Sequence, residues 1–331
     1  MALLTFDAAI VGVGSVVKTV LLGNGFSMAY SSELFSYSGL FDRAIEEEGC
    51  ENLKRVFESI GTRDFEIVMS VLKSTCKIGE IYKCASDLVE EMAQDAEDLK
   101  DILVDSISST HPENCSHVTE AQYKSTQRFL SNFSAYYTTN YDLLLYWALL
   151  RGKEYGITVN MTDGFYRDDG ILIWDNANKQ ASYYLHGALH LYKESHDIKK
   201  LSYSEHDIPL KDQVRTNIGN GLFPIFVSEG TVDEKIERIE QNKYLRHCLE
   251  SFSGIGGALF VHGHSFSDND AHIWDAIRSN DSMTALCISI YGDENSRINQ
   301  KIMQTANSLT KKGNVYFYDA STARLWEKAA S

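Results

Sequence analysis

Six short apolar or β-rich runs, each ended by a polar turn, constrain the fold of this chain more than any other feature. They are Thr19–Leu22 before GNGFS, Ala135–Thr138 before TNYD, Ser182–Leu185 before HGALH, Ala258–Val261 before HGHSFSD, Ala285–Ile290 before YGDEN, and Val315–Tyr318 before DAST. Several are apolar or aromatic almost throughout, as strands covered on both faces of a parallel sheet are. Helical patterns lie between most of them. The expectation is an α/β chain with a Rossmann-like, doubly wound, mostly parallel sheet. Open parallel sheets bind ligands at the carboxyl ends of their strands, where all six turns fall.

Within a single domain spanning 1–331, residues 41–128 read as a helical insertion capping the sheet. Phe65, Val68, Met69, Leu72 and Cys76, then Ala85, Leu88, Val89 and Met92, recur at spacings of three and four as one apolar stripe. The acidic stretch Glu90–Asp105 reads as a solvated helix face. Around 151–181, turn residues alternate with apolar pairs (GFYRDDGILIWDN), which predicts a small antiparallel β excursion. Residues 193–220 read as a polar loop and Val232–Phe252 as one helix.

Charge and cysteine usage narrow the function. Of 331 residues, 31 are Lys or Arg and 46 Asp or Glu, a net charge of −15. That balance argues against direct binding to nucleic acid or an anionic membrane. The six cysteines form no CxxC pair, which disfavours a zinc ribbon. The first residues lack an early basic group, and no window reaches the roughly 18 apolar residues of a membrane helix. A cytoplasmic location is expected.

Four turns carry candidate chemistry, each with a plainer reading beside it. In LLGNGFSMAY, Gly23 and Gly25 permit close backbone approach, and free N–H groups at a helix start attract anions. The same layout also suits a plain tight strand–helix turn. In TTNYD, Asn140 and Asp142 either cap the helix LLLYWALL or place an amide against a water or sugar hydroxyl. In YYLHGALHLY, His186 ends a strand in an exposed setting suited to a general base near neutral pH. A metal pair formed by His186 and His190 is disfavoured, because Gly187 does not suit a helix interior and the Glu of HExxH is missing. In VHGHSFSDNDAHIW, Gly263 and Ser265 form a second strand-end turn. Asp268 and Asp270 beyond it either reach ribose hydroxyls or cap the next helix. The trio His262, His264 and His272 offers a metal reading that no cysteine pattern supports.

GNGFS, TTNYD, YLHG and GHSFSD, in this order and at these intervals, resemble the motifs of sirtuin-like domains, especially the bacterial branch that hydrolyses NAD+ in defence against phage. The resemblance covers about 15–30 and 130–326. It implies NAD+ as substrate, no metal, Asn140 as the catalytic Asn, His186 as the base and Asp142 as local support. The first loop (Gly23, Asn24, Gly25, Phe26, Ser27), Thr139, the second turn (Gly263, His264, Ser265), Asp268 and Asp270, and the later strand ends (Tyr291, Asp319, Ala320) would hold the cofactor. Protein-deacylating relatives carry Ala where Asn24 stands, a Pro-Asp-Phe-Arg segment in place of SSELFSYS, and a four-cysteine zinc module. These departures favour cleavage with water as acceptor. The resemblance also implies a homo-oligomer and an activating partner, such as a hexameric DNA-translocating ATPase or an Argonaute-like protein. Two other classes are compatible with the same sheet: a catalytically silent module sensing NAD or ADP-ribose, and an NAD-dependent oxidoreductase. GNGFS departs from the dinucleotide fingerprint the latter needs.

Overall fold

The computed structural model describes residues 3–35, 51–63, 65–109, 112, 114–202, 209–227, 231–310 and 314–328. Its strands are β1 (Lys18–Leu22), β2 (Ala135–Thr138), β3 (Phe165–Asp168), β4 (Ile171–Trp174), β5 (Ser182–Tyr184), β6 (Gly187–Glu194), β7 (Asp197–Lys200), β8 (Pro224–Phe226), β9 (Gly257–His262), β10 (Met283–Ile290) and β11 (Asn314–Asp319).

The six apolar runs are the six strands of one sheet, in the order β11-β10-β9-β1-β2-β5, with every pairing parallel. Val20, Leu21, Leu22, Leu259 and Phe260 have no exposed surface, because helices cover both faces. The helix Lys243–Ser253 packs on β5, and Arg297–Leu309 packs on β10 and β11. The chain builds outward from β1 in both directions, so the strand order reverses between β1 and β9. The carboxyl ends of these two strands flank the crevice where such sheets take ligands.

The second sheet is antiparallel, in the order β3-β4-β7-β6-β8. It contains the hairpin expected within 151–181 but continues to Phe226. The loop reading of 193–220 is overturned: β6 and β7 form a hairpin there, and Leu210–Gly219 is a helix, while 203–208 lie outside the described residues. The hairpin turns through Ser195 with φ +57°, a conformation glycine usually marks, and no glycine announces it. The single helix expected over Val232–Phe252 is two, Val232–Gln241 and Lys243–Ser253. Asn242 divides them, its side chain accepting the N–H groups of Tyr244 and Leu245 as a cap.

In the helical insertion, Glu51–Ile60, Phe65–Ile81 and Ser86–Ser109 are described, and 41–50 lie outside the described residues. Phe65, Val68, Met69 and Leu72 are buried as the stripe predicts, but Ala85 and Leu88 are exposed. Leu99, Leu103 and Val104 supply the buried face of Ser86–Ser109 instead. The five described cysteines are free. Among the described residues, no helix is long and apolar enough to cross a membrane.

Candidate active site

The first and fourth turns meet each other. The Gly23 N–H donates to the His262 carbonyl at 2.9 Å, that of Gly25 to the Gly263 carbonyl at 2.8 Å, and that of Gly263 to Ser289 Oγ at 2.9 Å. A Cβ on Gly25 would lie 2.5 Å from Gly263 Cα, and one on Gly263 2.6 Å from Gly25 Cα. The glycines are therefore required for loop-on-loop contact. Their N–H groups are engaged within the protein and do not form the open anion cradle expected from the sequence. Asn24 turns to the Phe35 carbonyl, 2.9 Å from its amide nitrogen. The Phe26 carbonyl accepts the Trp326 indole N–H at 2.9 Å.

Behind this contact lies a directed chain of hydrogen bonds. Asn140 Nδ2 is 3.0 Å from both the Gly23 carbonyl and Ser27 Oγ. A carbonyl only accepts, so the amide nitrogen must face it. The fully buried Ser27 donates its hydroxyl proton to Asp142 Oδ2. Asp142 Oδ1 accepts the Leu144 N–H at 2.9 Å. Asp142 thus serves both readings, holding the start of the Leu144–Leu150 helix and fixing Ser27. Burial pushes its carboxyl up to about 6, against the pull of Ser27 and the Leu144 N–H. This arrangement leaves Asn140 Oδ1 without a hydrogen-bond partner among the described residues. Thr139 ties the segment to β1 through the Leu22 carbonyl at 3.1 Å.

The third turn is a sharp corner between the two sheets. Gly187 has φ +83°, and a Cβ there would lie 2.0 Å from the Ile225 carbonyl oxygen, so only glycine fits. His186 precedes it and is not in the exposed setting expected: it is 3% exposed. Its Nε2 lies 2.8 Å from His272 Nε2 and 4.0 Å from Asp270 Oδ1. Asp270 Oδ1 also takes Lys235 Nζ at 2.9 Å, and its Oδ2 lies 3.4 Å from His264 Nε2. His264 Nδ1 accepts the Phe266 N–H, so in the neutral ring the proton sits on Nε2, facing Asp270. Burial lowers His186 to about 3 and His272 to about 4, with Asp270 pulling the other way, so both are neutral near pH 7. Burial alone would raise the Asp270 carboxyl; the cationic forms of His186 and His264, together with Lys235, bring it below its ordinary value. With the imidazoles neutral, Lys235 is the group that carries the compensating charge.

The capping alternative for Asp268 and Asp270 fails. Asp270 stands at the N-cap of Ala271–Ser279 with no side-chain capping bond, and Asp268 is exposed beside Lys301. The proposed trio of histidines separates, because His262 bonds the Tyr318 hydroxyl at 2.9 Å while His272 joins His186. His190 is buried against Tyr146, with neither ring nitrogen hydrogen-bonded among the described residues. Ser265 is exposed at the turn. Tyr291 is exposed, and Asp319 caps the turn that begins at Ala320 through the Ser321 N–H. Sequence reasoning missed Lys235 and Ser289. A lysine in an amphipathic helix reads as solvent-facing, and a serine inside an apolar strand gives no site signal.

A family described as a domain of unknown function (DUF4917) matches residues 20–326. The chain belongs to that family. A comparison with curated proteins finds no match.

Proposed function

We propose that this chain hydrolyses NAD+ to ADP-ribose and nicotinamide. The observation that carries the reading is the Asn140 amide, anchored by Gly23 and Ser27 at the sheet's switch point with its Oδ1 unpartnered among the described residues. Cleavage breaks the bond between ribose C1′ and the nicotinamide nitrogen. The bonding pair returns to the ring, which leaves neutral, so no strong acid is needed. The ribose passes through an oxocarbenium-like state, as in glycoside hydrolysis. Asn140 Oδ1 orients the attacking water or the ribose hydroxyls. Its worth lies in positioning, where a displacement of about 1 Å can cost on the order of 10²-fold.

The water oxygen bonds to C1′ and its proton must leave. His186 is unprotonated near neutral pH and accepts it, while Asp270, 4.0 Å away, offsets the charge gained. The Gly263–Ser265 turn and the first loop border the phosphates and adenosine ribose. The resemblance to defence NAD+ hydrolases supports a role in resistance to phage, with the reaction held off until self-assembly or a partner releases it.

The test is nicotinamide release from NAD+, read by chromatography at low and high protein concentration, for wild type and Asn140→Ala. Release by wild type, reduced at least about 10²-fold in the variant, is expected. Equal release by both would remove Asn140 from the reaction. A second reading, a silent NAD- or ADP-ribose-sensing module, is favoured by the weak basicity of the buried His186. NAD+ binding with no nicotinamide released at any concentration, alone or with the partner, would select it.

A further inference from the structure

We propose that His186, His272 and Asp270 form a binding site for one divalent transition-metal ion, of which zinc is the biological candidate. One ligand atom from each lies within 4.8 Å of the other two, with His186 and His272 buried and Asp270 partly so. They come from two separated segments, the corner after β5 and the start of the Ala271–Ser279 helix, so neighbouring sequence does not explain their convergence.

Without an ion the two imidazoles share a hydrogen bond, one ring nitrogen donating to the other. The two Nε2 atoms face each other at 2.8 Å. With metal–nitrogen bonds of about 2.1 Å, that separation subtends about 84° at the ion, narrower than zinc's tetrahedral angle of about 109°, so the two rings part by about 0.6 Å on binding. Two imidazoles and one carboxylate are the donor set of many zinc, cobalt and iron sites. Asp270 is held from behind by His264 at 3.4 Å, as ligating carboxylates are by outer partners.

One contact opposes the ion. Lys235 Nζ sits 2.9 Å from the same Asp270 oxygen, and two positive charges compete for it. At 4.0 Å from His186 Nε2, Asp270 Oδ1 would open the angle at the ion to about 144°, so Asp270 moves inward on binding and loosens its hold on Lys235. The site is therefore a switch between a lysine-compensated and a metal-compensated carboxylate. A bound ion also takes the Nε2 lone pair of His186 and stops it from accepting a proton. That last consequence rests on the proposed hydrolysis; the binding itself does not.

The full chain is stripped with a chelator and titrated with cobalt(II) chloride, reading the visible d–d absorption. One cobalt per chain is expected, with affinity falling at least about tenfold in His272→Gln and rising in Lys235→Met. Absence of cobalt bands in wild type, or affinity unchanged in a folded His272→Gln, overturns the site. Should circular dichroism show that His272→Gln is unfolded, Lys235→Met decides: unchanged or weaker binding overturns the proposal. Nicotinamide release by the stripped protein is measured separately, so a failure of hydrolysis and a failure of metal binding are told apart.

Discussion

Ser27 stands between a carboxylate and an amide, and its single hydroxyl proton sets the direction of both bonds. Removing it leaves Asp142 buried with only the Leu144 N–H. Ser27→Ala should destabilise the protein by about 1–3 kcal/mol, the usual cost of orphaning a buried polar group. The loss should depend on pH. Asp142 titrates at about 6 in the folded protein, above its ordinary 3.8. Its contribution is thus present below 3.8 and lost as pH rises through 6; without Ser27 the folded value rises further. Urea midpoints of wild type and variant should lie closer together near pH 4 than near pH 8. An identical gap at both would mean that Asp142 is not ionised against Ser27. At this scale the sequence identified Asn140 and Asp142 as a strand-end pair but left each with two readings. Only the fold brings Ser27 to them, from the far side of the helical insertion. His186 was legible as a strand-end histidine, yet its burial was not, because Asp270 and His272, which meet it there, lie much later in the chain.

Among elements, the contact between the turns after β1 and β9 is the feature most open to a clean test. Gly263 (φ +69°) and Gly292 (φ +75°) have similar backbones, but only Gly263 has another backbone against it; a Cβ on Gly292 would meet open space. Both alanine variants bear the strain of positive φ, so their difference isolates the steric contact. Gly263→Ala should lower stability by roughly 1–3 kcal/mol more than Gly292→Ala, as overpacking does. Equal losses by urea denaturation would mean that the turns part without cost. The six parallel strands were readable because burial on both faces leaves continuous apolar runs. Of the second sheet only the β3–β4 hairpin was. The β6 run GALHLYKE is buried over Gly187–Leu191 without alternation, the β6–β7 turn uses Ser195, and the break at Asn242 uses neither Gly nor Pro. Such elements are fixed by tertiary pairing, which local pattern does not encode.

For the whole molecule, acid stability sets two effects against each other. Lowering the pH toward the isoelectric point near 5.1 relieves repulsion in a chain of net charge −15. Those charges are mostly at the surface and screened over about 8 Å at physiological salt. Against this stand His186, His262 and His272, lowered by burial to about 3, 4 and 4 from an ordinary 6.5. The unfolded chain takes up these protons first, so the stability of the neutral forms is present above 6.5 and lost as pH falls through the folded values. Each proton taken up only by the unfolded state removes about 1.4 kcal/mol per pH unit. Three such groups acting together outweigh a screened surface term. The urea midpoint at fixed salt should therefore fall steadily below pH 6.5, well before the exposed carboxylates titrate. His262→Gln keeps a side-chain partner within reach of Tyr318 but has no proton to gain, so it should make this decline shallower. A midpoint that rises between pH 6.5 and 5, or a variant with an unchanged slope, would show that these imidazoles do not govern acid unfolding.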